Sequence, residues 1–368
     1  MKKTAFETLC VLLVSCALSV AGASFRTIEI TDMEGRQVTV PVDPDRIVCI
    51  GPGALRLIVY LQAESKVVGV EDMEKKDPVG RPYWMAHPEL ALLPRCGPGG
   101  PACINKKPDL EALLALSPQM IFTVYMDASL ADEVQRTLGI PLVILSYGDF
   151  ATFDETVYEA IHLAGKILNR EKRAGEVIAY VESIRADLQS RTKNIPADVR
   201  PTVYVGGVGC RGAQGIEGTQ KSYIPFQWVS VDNIAKKISG ISSHLVMGKE
   251  MLLKLNPDVI FIDGGGVVLV AEDYRKKPQF YRVLTAVHND QVYTLHPFNW
   301  YATNIGTALS DAYAIGRILY EEQFASVDPE QKADEIYTFL VGNPVYESMR
   351  SKYGPIGNKA RFLNGKER

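Results

Sequence analysis

One stretch of this chain occurs twice, and the duplication limits what the chain can fold into. Glu111-Ala112-Leu113-Leu114-Ala115-Leu116-Ser117-Pro118-Gln119-Met120-Ile121-Phe122 and Glu250-Met251-Leu252-Leu253-Lys254-Leu255-Asn256-Pro257-Asp258-Val259-Ile260-Phe261 both fit E-x-L-L-x-L-x-P-x-x-I-F. Each copy reads as a short helix, a proline stop and the start of a buried strand. Such junctions are common in α/β proteins, so a chance match is the alternative reading. Seven identities in register favour duplication. Two copies far apart predict two similar lobes with a cleft between them.

The segments around the repeats fit that expectation. Thr27–Asp32 and Gln37–Pro41 alternate apolar and polar residues about Gly35, which predicts a β-hairpin. Arg46–Ile50 is a continuous apolar run, as expected of a strand covered on both faces. A helix over Ala54–Leu61, strands at Lys66–Val70 and Leu142–Leu145 and a helix at Glu133–Leu138 complete a strand–helix alternation. That alternation predicts a parallel sheet with helices on both faces. From Phe153 to about Lys193 the helical spacing is nearly continuous, with a possible interruption at Asn169-Arg170-Glu171. It predicts one long helix as a stiff strut between the lobes. A second lobe then follows, with strands at Thr202–Val205, Val259–Ile262 and Gln291–Leu295 and helices at Val231–Ile238 and Thr307–Tyr320. The predicted fold class is α/β: two Rossmann-like lobes with parallel-rich sheets joined by a single long helix. The predicted divisions are 1–23, a signal peptide; 24–150, the first lobe; 151–195, the linking helix; 196–325, the second lobe; and 326–368, a helical tail.

The chain has 368 residues, 46% hydrophobic and 23% charged, enough for two ordinary domains with sizeable cores. Its net charge of −3 gives no electrostatic case for nucleic-acid binding. Met1-Lys2-Lys3, the apolar run Leu9–Val20 and Ala21-Gly22-Ala23 have the order of a cleaved export signal. Leu13-Val14-Ser15-Cys16 also resembles a lipoprotein cleavage box, which leaves lipid anchoring at Cys16 as the alternative. Either route predicts a periplasmic or surface location.

Export makes an oxidising compartment the expected setting. Cys96 and Cys103 flank a Gly- and Pro-rich loop, so a disulfide between them is expected. So short a ring adds roughly 2–3 kcal/mol on the chain-entropy model. A two-thiolate metal site is the rival reading, without a CxxC spacing to support it. Cys210 is left with no evident partner.

The order of motifs resembles a known family: the periplasmic substrate-binding proteins of ABC importers for iron–siderophore complexes, haem and cobalamin. The resemblance rests on Asp45-Arg46-Ile47-Val48, Lys66-Val67-Val68-Gly69-Val70, both repeat copies, and Asn299-Trp300-Tyr301 ahead of Asp311-Ala312-Tyr313. It implies two lobes joined by one long helix and an ABC permease dimer as partner. It also implies that Glu111 and Glu250, one per lobe, dock onto permease arginines. The alternative is that each is only a favourable acid in the first turn of a helix.

In open α/β sheets ligands bind beyond the carboxyl ends of the strands. The residues that follow those strands are the candidate ligand contacts. In the first lobe they are Arg56 after Gly51-Pro52-Gly53, then Tyr125 and Tyr147, with Tyr83 and Trp84 from Arg81–His87. The second lobe supplies Cys210, Arg211, Gln214 and Glu217 from the glycine-rich loop Gly206–Glu217, and Trp300 and Tyr301. The sister group that binds bare zinc or manganese uses a histidine-rich shell, whereas the five histidines here are scattered. A metal chelate that carries its own donors is the expected ligand, with a bare metal ion as the alternative. No intrinsic cofactor, no catalysis and a monomeric protein are expected; a metal-chelate enzyme or a sensor on the same fold are the remaining alternatives.

Overall fold

The apolar run Ile47–Ile50 is buried throughout and forms the middle strand of a five-stranded sheet. In the computed structural model residues 26–77, 79–148, 153, 155–209, 212–239 and 244–364 are described. The signal-peptide reading lies outside them, as do Cys210 and Arg211. In chain order the strands are β1 (Thr27–Thr31), β2 (Gln37–Pro41), β3 (Ile47–Ile50), β4 (Val67–Glu71), β5 (Arg95–Gly97), β6 (Met120–Val124) and β7 (Leu142–Leu145). They continue with β8 (Val203–Gly206), β9 (Gly218–Gln220), β10 (His244–Val246), β11 (Val259–Asp263), β12 (Val292–Leu295) and β13 (Asn358–Lys359).

The first lobe carries the sheet β5-β4-β3-β6-β7, parallel throughout, beside the antiparallel β1–β2 hairpin. The second carries β13-β12-β11-β8, parallel except for β13 at the edge. The two repeat copies fold alike. Helix Leu110–Leu116 ends at Ser117 with φ +47°, and helix Lys249–Leu255 ends at Asn256 with φ +38°. Each left-handed stop precedes its proline and turns the chain into β6 or β11.

The predicted linking helix is two helices. Helix Thr156–Ile167 packs on Ala54–Tyr60 and β7 of the first lobe. Asn169, at φ +53°, then breaks the run, and helix Glu171–Thr192 spans the lobes with 22 residues, about 33 Å. A left-handed residue closes one helix and redirects the chain, at the interruption that Asn169-Arg170-Glu171 had offered. The helix expected at Val231–Ile238 reduces to one turn, Ile234–Lys237, because the Asn233 side chain caps Ala235 and otherwise binds Thr219 and Gln220.

The tail returns to the first lobe. Helices Pro329–Val341 and Tyr346–Tyr353 hold its 77–87 segment: Val341 O accepts from His87 at 2.9 Å, Asn343 donates to Ala86 O at 2.9 Å, and Tyr353 OH donates to Val79 O at 3.0 Å. Lys352 pairs with Asp77 at 2.6 Å. The largest apolar cluster is continuous from Ile30 through the linking helix to Phe261 and Met349, so the lobes share one core.

Candidate functional site

The strand order locates the site. β3 and β6 are neighbours, but the chain leaves β3 toward β4 and β5 on one side and later adds β6 and β7 on the other. Open α/β sheets have a crevice at the carboxyl edge of such a reversal. A cavity of about 350 Å³ lies there. It is lined by the ends of β3 and β6, by Glu71 at the end of β4, and by the chain from Arg95 to Gly100 and from Cys103 to Asp109. Gly51 follows β3 at φ +86°; a Cβ at this position would lie 2.9 Å from the Val124 carbonyl oxygen. Only glycine lets the two strand ends approach this closely.

Glu71 is the buried acid of the cavity. Its Oε2 accepts from the Gly51 amide at 3.1 Å and from the Tyr301 hydroxyl, which in turn accepts from the Gly100 amide at 3.0 Å. Burial pushes the Glu71 carboxyl up to about 7, and the two hydrogen bonds oppose the rise. Tyr301 arrives from the loop after β12, so this contact joins the second lobe to an acid that lines the first-lobe cavity. Burial, reinforced by Glu71, raises the Tyr301 phenol well above its ordinary range, so it stays a donor.

Arg56 was expected to grip a ligand carboxylate; the structure assigns it another task. It is fully buried, and all five of its N–H donors are used inside the protein. Nε donates to Asn304 Oδ1 at 3.1 Å, one terminal nitrogen to Thr303 O at 3.0 Å and Tyr147 OH at 3.4 Å, and the other to Tyr301 O at 2.7 Å and Trp300 O at 3.1 Å. The guanidinium also lies over the Tyr83 ring, 4.7 Å from its centroid. Arg56 therefore latches the 300–304 segment of the second lobe onto the first.

Other candidates move inward with it. Tyr83 and Trp84, expected as cleft aromatics, are buried; Tyr83 OH donates to Glu74 at 2.7 Å, and Arg81 lies 5.6 Å over Trp84. Glu74 is itself buried and holds Arg81, so this group braces the lobe from within. Tyr147 is buried and donates to Gly53 O at 2.9 Å. Tyr125 and Trp300 stay half-exposed, Tyr125 at φ +54° next to the cavity strand β6. The Trp300 indole N–H and Asn299 Oδ1 are buried atoms without hydrogen-bond partners.

In the second lobe the glycine-rich loop packs backbone on backbone. Gly207 has φ +77°, and a Cβ on Gly266 would sit 2.4 Å from Gly207 Cα. Gly207 and Gly266 thus meet backbone to backbone in this turn. Gln214 is half-buried on this loop, and Glu217 pairs with Lys249 at 2.7 Å. Beneath lie Asp263, His296 and Asp311, all buried. Burial raises Asp263 to about 7 and lowers His296 to about 4.

The expected Cys96–Cys103 disulfide is not formed: both thiols are free. β5 turns Cys96 into the small apolar cluster with Val48, Ile50 and Leu113, while Cys103 ends the single turn Pro101–Cys103 and stays partly exposed. Gly97, Gly99 and Gly100 at positive φ route the intervening chain along the cavity and not into a closed ring.

Glu111 and Glu250 are both exposed, in the first turns of the matching helices, one per lobe. Sequence reasoning missed Glu71 and the Gly97–Gly100 turn. The available signal was position: each directly follows or ends a strand at the carboxyl edge.

A family model described as periplasmic binding protein matches residues 47–297. The molybdate-binding protein MolA of Haemophilus influenzae is 24% identical over 353 residues, 89% of this chain and 94% of that one. The ABC transporter substrate-binding lipoprotein YvrC of Bacillus subtilis is 23% identical over 273 residues, 73% of this chain and 78% of that one. The solved structure of MolA bound to molybdate superposes with a TM-score of 0.68 at 20% identity, covering 86% of this chain and 98% of MolA. A periplasmic solute-binding protein of Veillonella parvula gives 0.71 at 18% identity, covering 93% and 99%.

Proposed function

The chain belongs to the periplasmic binding protein family, and on that premise we propose that it captures a metal-containing chelate or oxyanion between its lobes and delivers it to an ABC permease without turnover. The family is one of substrate-binding proteins of ABC transporters, so a permease is the partner class. The observation that carries the finer reading is the contact of Tyr301 with Glu71, which lines the cavity at the strand reversal. It makes occupancy of the cavity and the relation of the lobes one physical question. Among the described residues no three His, Cys, Asp or Glu side chains are grouped to hold a metal. That favours a ligand bringing its own oxygen or nitrogen donors over a bare ion. Tyr125, Trp300, Gln214 and Arg211 are the proposed contacts.

Glu111 and Glu250 are proposed as the docking acids, supported by their exposure at matched places on the two lobes. The test is equilibrium titration of the purified protein with sodium molybdate, a ferric catecholate chelate and haemin, followed by tryptophan fluorescence and calorimetry. Saturable binding of one of the three is expected; chemical conversion of the bound compound would contradict the reading.

A further inference from the structure

The duplicated helices share more than a glutamate. Leu114 and Leu253 occupy the same register of the repeat, and they are 50% and 38% exposed. Each stands three residues after its lobe's exposed glutamate, so carboxylate and isobutyl group are neighbours on one helix face. Neither leucine is needed for the core. Leu113 and Leu252 carry the buried face of their helices, and Leu116 and Leu255 close its far end. A single exposed leucine requires no explanation. Two at one register of a duplicated motif, each beside an exposed carboxylate, do. Met251, 39% exposed, widens the patch on the second lobe.

Resting on the reading of the chain as a permease-delivered binding protein, we propose that Leu114 and Leu253 are apolar docking knobs that pair with Glu111 and Glu250 against the permease. The occupant is a membrane permease with two equivalent sockets, each a basic rim around an apolar floor. Two matched patches on two lobes require a partner with twofold repetition, which a permease dimer supplies. The division of labour follows from physics. The carboxylates steer encounter and set orientation, and the leucines add contact free energy that salt does not screen.

The test is the affinity of the ligand-free, full-length protein for its cognate permease–ATPase complex in lipid nanodiscs, read by biolayer interferometry. Leu114→Ser and Leu253→Ser are each expected to weaken binding about three- to tenfold, as truncation of an interface anchor does. The loss persists from low to high salt. Glu111→Gln and Glu250→Gln weaken binding at low salt, and their effect shrinks at high salt. Leu114→Met and Leu253→Met keep wild-type affinity, as does Leu92→Ser, which removes an apolar residue 87% exposed outside the repeat. Unchanged melting temperatures confirm folding. Serine variants within twofold of wild type, with the glutamine variants still weakened, overturn the apolar knobs and leave the docking acids standing. If all four variants bind like wild type, the docking reading fails as well.

Discussion

Arg56 Nε and Asn304 Oδ1 lie 3.1 Å apart although 248 residues separate them in the chain. One belongs to the helix after β3, the other to the residue that begins helix Ile305–Leu319. Asn304 is in the N-cap position but gives its side chain to Arg56 and to the carbonyls of Phe298 and Trp300. The lobes are therefore joined by a polar latch as well as by a shared core.

Arg56→Lys keeps the charge and loses the fork. A lysine has three donors and no planar geometry to match five acceptors. We expect a loss of at least about 3 kcal/mol in calorimetric or denaturant unfolding, since buried carbonyls are left unpaired. A loss below about 1 kcal/mol would remove the latch from the account of stability.

Glu71 gives a pH signature. Its carboxyl lies near 7 when folded and near 4.5 when unfolded. A raised folded value contributes stability that is fully present below the unfolded value and is lost as pH rises through the folded one. Glu71→Gln removes this dependence. Relative to wild type, the variant is expected to gain stability between pH about 4.5 and about 7 and to gain no more above that window. Parallel stability curves for the two proteins across this range would contradict it.

Capture is expected to depend on two groups of the second lobe. Tyr301→Phe removes the hydroxyl shared by Glu71 and Gly100, and Arg211→Ala removes a cation from the glycine-rich loop. Each is expected to weaken binding of the compound identified by titration about tenfold, near 1.4 kcal/mol. Unchanged affinity in both variants would take these residues out of the site.

The thiols offer a direct chemical check. Cys49 and Cys96 are buried, and Cys103 is partly exposed. Burial raises the Cys96 and Cys103 thiols, Cys96 the more deeply placed. Among these three, a maleimide added to native protein is expected to label Cys103 alone, with the other two reacting only after unfolding. A Cys96–Cys103 linked peptide in a non-reduced digest would restore the bridge.

What the sequence made legible was whatever local chemistry decides. The repeat foretold two short helices stopped before a proline, and the apolar runs foretold β3, β6, β7 and β11 because a strand buried on both faces cannot hide its composition. The candidate contacts were less legible. Tyr147 does follow a strand end, but Arg56 lies in the helix after β3 under residues 300–304, and Tyr83 lies in the short helix Pro82–Met85 against helix Pro329–Val341; no local pattern announces such covering segments. Glu71 was overlooked for the converse reason. An acid after an apolar strand looks like a solvated turn until Tyr301 arrives from the other lobe to bury it. The break at Asn169 was visible only as a possibility, since an asparagine fits a helix turn or a left-handed stop equally well.

The return of helices Pro329–Val341 and Tyr346–Tyr353 to the 77–87 segment means that the halves are tied at two separate places, once by helix Glu171–Thr192 and once by the chain's own end. A body fastened at two points behaves as a closed mechanical circuit: twisting one half strains both tethers at once. In such a frame any cargo exchange is expected to proceed through small local yielding of the 300–304 segment, and the separation of Glu111 and Glu250 is expected to stay nearly fixed.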